Sequence, residues 1–135
     1  MVEKELTTAV DLCLDDGRLN PQAVGWSRRP LQRCNLRGRW PRKKRWNYWA
    51  VTSESHLFSV TVSHVDYVGL VFIYVADFEN DEFNEVTQLL PFGRGIELPE
   101  TAAEDVHFAA GGLQVALKQA EAGLELAVEM ANFEG

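Results

Sequence analysis

The sequence predicts a mainly β protein, an antiparallel sandwich or barrel, on three observations. From Trp46 onward apolar and polar residues alternate with a period of two, the signature of strands with one face buried. Turn residues (Glu79-Asn80-Asp81, Gly111-Gly112, Gly123) separate these short runs. Between them Val68 to Phe78 is apolar on both faces, as a central strand covered on both sides would be. The 135 residues fit one domain, with an irregular lead-in over 1–45 and antiparallel strands over 46–130.

In the lead-in, Thr7 to Leu14 reads as a strand or a helical turn, and Asp15-Asp16-Gly17 as a turn. Asn20-Pro21, Pro30, Gly38 and Pro41 break up anything longer. Trp46 to Ser53 is aromatic and β-branched, which favours a strand. Phe58, Val60 and Val62 alternate with Ser59, Thr61 and Ser63, a half-buried strand. Phe83 to Leu90 is more polar and suits a position near an edge. After the breaks at Pro91 to Gly95 and Leu98-Pro99, strand signals resume at Val106 to Ala110. Leu113 to Met130 is rich in Ala, Leu and Glu, which favour helix, but Gly112, Gly123 and the period of two predict a hairpin. The run that follows it to Gly135 carries no closing element. We therefore expect a chain truncated at its C-terminus, or one half of an assembly.

Composition narrows the class. A hydrophobic content of 46% and charged content of 24% are globular values. The longest apolar run, Val68 to Ala76, is too short to span a bilayer as a helix. The N-terminus lacks the basic-then-apolar pattern of a secretion signal, so a cytoplasmic location is expected. Cys13 and Cys34, with no CxxC and no zinc-like spacing, are expected to be reduced and structural, a disulfide being the alternative. No metal and no cofactor is expected.

Charge is unevenly distributed. Ten of the 13 Lys and Arg lie between Arg18 and Arg45, a stretch without Asp or Glu. From Trp46 onward only Arg94 and Lys118 oppose 15 acids. The basic segment is expected to pack along the acidic sheet or to face an anionic ligand. An acidic domain of net charge −7 without a recognisable nucleic-acid fold argues against nucleic acid.

The overlapping stretch from Gly25 to Trp49 holds all four tryptophans, Trp26, Trp40, Trp46 and Trp49. In Trp46-Asn47-Tyr48-Trp49, strand periodicity puts Trp46 and Tyr48 on one face and Asn47 and Trp49 on the other. Indole and phenol combine apolar surface with a polar tip, which suits the mouth of a site for an amphipathic molecule. Lys43, Lys44 and Arg45 stand beside them to meet an acidic head group. Trp26 and Arg28 are expected to stack or pair nearby. The expected ligand residues are thus Trp26, Arg28, Arg45, Trp46, Asn47, Tyr48 and Trp49. The competing expectation is that these indoles anchor the lead-in onto the sheet.

The blocks GWSRRPL, CNLRGRW and RKKRWNYW, followed by LFSVTVSHVDYVGLVFIYVADFE and LLPFGRGIELPE, cover almost the whole chain. They resemble the N-terminal half of the DUF2804 family, whose members are longer and have no assigned role. The resemblance implies half of a two-barrel protein with a lipocalin-like architecture, similar to that of carotenoid hydratase-type and tocopherol cyclase-type enzymes. Two functions follow. One is a lipocalin-like module that binds an apolar or amphipathic small molecule. The other is an isoprenoid hydratase or cyclase, in which Asp66 and Tyr67 supply the acid and His64, two residues from Asp66, is oriented by its carboxylate. For these three residues a turn-forming Asp with a surface His is the simpler alternative. A purely structural half-domain is the third possibility. The expected partners are that ligand and either the missing C-terminal half or a second copy.

Overall fold

Seven long strands carry the architecture, and the side chains that alternate along them decide where each sheet is dry. The computed structural model describes residues 3–121 and 123–131. In the lead-in, strand β1 (Val10–Asp11) pairs in parallel with β2 (Gln32–Arg33), and a single 3-10 turn spans Pro21–Ala23. Strands β3 (Arg45–Thr52), β4 (His56–His64), β5 (Val68–Asp77) and β6 (Glu82–Pro91) form an antiparallel meander in that order. Strands β7 (Val106–Ala110), β8 (Leu113–Ala120) and β9 (Gly123–Met130) form a second. Gly123 thus opens the last strand of a hairpin, and the helical propensity of Leu113 to Met130 is overridden by β packing.

One apolar cluster joins the two sheets. From the first come Val60, Val62, Val71 and Ile73; from the second come Val106, Phe108, Leu113, Val115 and Leu117. Among the described residues no strand pairing links the sheets, so no closed barrel forms. The three-stranded sheet is dry on one side only, because Gln114, Lys118, Glu125 and Glu129 occupy its exposed face.

The four-stranded sheet differs. Its inner face buries Val60 and Val62 against Val71 and Ile73. Its outer face carries Trp46 and Tyr48 on β3, Leu70, Phe72 and Tyr74 on β5, and Phe83 and Leu89 on β6. The buried Ser59 and Ser63 and the half-buried Thr61 form a trough of short side chains between the rows of β3 and β5. Phe72 stacks on Tyr74 at 6.5 Å between ring centroids, and Tyr74 on Phe83 at 5.9 Å. Val68 to Phe78 was expected to be covered on both faces. Strand β5 is central as expected, but the described second sheet covers its inner side alone, and neighbouring rings shelter its outer side in part.

The β5–β6 turn is clasped by Asp77. Its carboxylate accepts the Glu79 and Asn80 backbone N–H groups and the Asn80 side-chain amide. The Asn80 side chain contributes most to holding the Asp77 carboxyl below its usual range.

Among the described residues five of the ten cations between Arg18 and Arg45 form ion pairs, three of them with acids the sequence did not single out as partners. Arg28 pairs with Glu5, Arg33 with Asp11 and Arg18 with Asp16, all acids of the lead-in itself. Among the described residues only Arg37–Glu100 and Lys43–Asp66 reach beyond residue 45. The exposed pairs contribute little each, about 0–1 kcal/mol. The backbone ties Leu6 N–H to Trp26 O and Trp26 N–H to Lys4 O, at 2.8 and 3.1 Å, fix the path of the segment more firmly. The expectation about the chain's closing residues falls on 132–135, outside the described residues.

Candidate functional site

Strand β3 is the first strand of its sheet, and among the described residues it pairs only with β4. At such an edge the side chains of both faces border the same open side. Beyond that edge a cleft of about 600 Å³ lies between β3, the lead-in and the loop from Leu98 to Ala102. Arg45, Trp46, Asn47, Tyr48 and Trp49 line it from β3, together with the preceding Lys44. Leu12, Cys13, Cys34 and Leu36 close it from the lead-in, and both thiols are free. Trp46 and Tyr48 are exposed, whereas Asn47 and Trp49 are half-buried on the core side, as the period of two predicts.

The cleft is held by a few directed contacts. Arg45 Nη2 donates to the carbonyls of Leu98 and Pro99, each at 2.7 Å. Its Nη2 therefore secures the loop wall. Glu100 ties the loop to the lead-in twice. Its carbonyl accepts the Cys34 N–H at 2.7 Å, and its carboxylate pairs with Arg37 at 2.5 Å. Asn35 adds a clasp within the lead-in, accepting the Cys13 N–H and donating to the Cys13 carbonyl.

Trp26 and Arg28 lie elsewhere. The Arg28 guanidinium sits 5.1 Å from the centroid of the Trp26 ring and bonds Glu5. That is the stacked arrangement expected of them, but it fastens the two chain segments at Glu5 and Trp26 and does not border the cleft. The structure thus brings Arg45, Trp46, Asn47, Tyr48 and Trp49 together and leaves Trp26 and Arg28 apart. Sequence reasoning missed the opposite walls. Only the Leu98-Pro99 break hinted at an ordered loop there.

The possible acid group has a different geometry from the one expected. His64 ends β4, while Asp66 lies in the β4–β5 turn at φ +65°, so the two do not share a strand face. The Asp66 backbone N–H, not its carboxylate, meets the imidazole, donating to Nδ1 at 3.1 Å. The buried Asp66 carboxylate instead accepts the Lys43 N–H at 3.0 Å and faces Lys43 Nζ at 3.8 Å. Asp66 therefore anchors the start of β3 to the turn. Tyr67 is exposed, and Arg45, His64 and Lys43 border a separate hollow of about 330 Å³.

Among the described residues no group of three or more His, Cys, Asp or Glu is arranged to hold a metal ion, and no helix is long and apolar enough to cross a membrane. The chain matches no curated protein and no solved structure. The sequence profile described as a domain of unknown function, DUF2804, matches residues 3–135, and with that the chain belongs to the DUF2804 family.

Proposed function

We propose that this chain is a binding module for an apolar or amphipathic small molecule, held in the cleft beyond the β3 edge. The observation that carries the reading is the cleft itself. Its volume of about 600 Å³ falls in the range of small-molecule sites, roughly 300–1,000 Å³. Indole, phenol and aliphatic side chains make most of its lining, with a few polar groups to orient a ligand. Dodecanoate titrated into the protein is expected to change tryptophan fluorescence saturably. In a Trp46→Phe/Trp49→Phe variant that change should largely vanish, although Trp26 and Trp40 still report. A response that never saturates, or one that survives in the variant undiminished, would overturn the reading.

A second reading concerns assembly, and the outer face of the four-stranded sheet supports it. Trp46, Tyr48, Phe83 and Leu89 there are each between 55% and 66% exposed. With roughly 150–250 Å² per aromatic side chain, these four present on the order of 500 Å² of apolar surface. Leu70, Phe72 and Tyr74 bring the face towards the ~800 Å² per partner of an ordinary interface. A second copy of this chain, its own face turned inward, is the occupant we propose. Sedimentation velocity should show a dimer at micromolar concentration, and a Phe83→Glu/Leu89→Glu variant should sediment as a monomer. A wild-type chain that stays monomeric up to ~100 µM contradicts this.

A further inference from the structure

We infer that the cleft selects a carboxylate-ended apolar molecule, and that Lys44 is the residue that reads the carboxylate. The inference rests on the binding role proposed for the cleft. Two cations, Lys44 and Arg45, line its basic end, with Lys43 next to them in sequence, and the structure separates the duties of the three. Lys43 faces the Asp66 carboxylate, only a quarter of its side chain being exposed. Arg45 spends its Nη2 on the Leu98 and Pro99 carbonyls. Lys44 is exposed, lines the cleft, and has no carboxylate within ion-pair distance among the described residues. The one carboxylate bordering the cleft, that of Glu100, is engaged by Arg37.

The strand backbone adds donors beside this cation. The Ser53 N–H bonds the His56 carbonyl and closes the β3–β4 hairpin. In an antiparallel ladder every second residue then turns its N–H and C=O towards the partner strand. Counting back from Ser53, these are Val51, Trp49, Asn47 and Arg45. The N–H groups of Trp46 and Tyr48 therefore point away from β4, to the side on which the cleft opens. Lys44, which directly precedes β3, lines the same cleft. An ammonium and two outward amide N–H groups form a rim for a carboxylate, while the indoles and the leucines of the lead-in receive an apolar chain.

The discriminating comparison is dodecanoate against dodecanol, read by tryptophan fluorescence. A charge-assisted contact of about 1.5 kcal/mol corresponds to about tenfold in affinity. The wild type is expected to bind the acid about tenfold more tightly than the alcohol, with the gap narrowing as salt is raised. In Lys44→Gln the acid should bind about as the alcohol does, whereas Lys44→Arg should keep the preference. Lys118→Gln, on the exposed face of β8, controls for a general charge effect. Acid preference that persists in Lys44→Gln, or its absence from the wild type, would overturn the role of Lys44 while leaving the cleft reading intact. Failure of both ligands to bind would remove both.

Discussion

Replacing Phe108 by alanine is expected to lower the unfolding free energy by about 3–5 kcal/mol, the range for deleting a buried phenyl ring. Phe108 is 3% exposed and sits on β7 opposite Val115, in the cluster that the two sheets share. No strand pairing joins the sheets among the described residues, so their union depends on this packing. The loss should appear as an earlier midpoint in urea. Phe108→Leu, which leaves a smaller void, should cost less than half as much. Equal losses in the two variants would mean that cavity size does not set the effect.

A methyl group added at Gly69 is expected to cost about 2–3 kcal/mol, within the usual range for overpacking. Gly69 is buried on β5 between His64 and Leu90. A Cβ there would stand 2.5 Å from Ile96 Cδ1 and 2.8 Å from Gly93 Cα. The isoleucine can rotate away, but the backbone at Gly93 cannot move without disturbing the loop that leaves β6. Gly93 itself has φ +65°, which few other residues adopt without strain. Alanine at position 69 would lose less chain entropy on folding, a small gain that the overlap exceeds. Urea unfolding of Gly69→Ala measures the balance. A midpoint equal to that of the wild type would show that the loop does not press on β5.

How much of this was legible in the sequence depended on which force sets each element. Strands β4 and β8 were readable because burial on one face imposes a period of two, as in Phe58, Val60 and Val62, and β5 because it is a short apolar run between turn signals. Phe83 to Leu90 announced an edge by its polarity, and β6 does end its sheet. The two-residue β1–β2 pairing could not be read, because so short a parallel contact leaves no periodic trace. Barrel and sandwich gave the same local pattern, and only strand adjacency separates them. At the site, Arg45 to Trp49 stood out as a run of aromatic and basic residues and do line one cleft. Trp26 and Arg28 belonged to the same composition but not to the same place, because their partner is Glu5. The loop wall was hidden because its key contacts are backbone carbonyls, which any residue supplies. The separate duties of Lys43, Lys44 and Arg45 were hidden too, since partners 23 and 53 residues away decide them.

Glu100 joins the two flanks of the cleft, through its main chain to Cys34 and through its side chain to Arg37, while Arg45 fixes the neighbouring carbonyls to β3. The gap between strand and lead-in is therefore spanned by one short tether. Loosening either the Glu100 or the Arg45 contacts would leave that wall of the cleft without an anchor on one side.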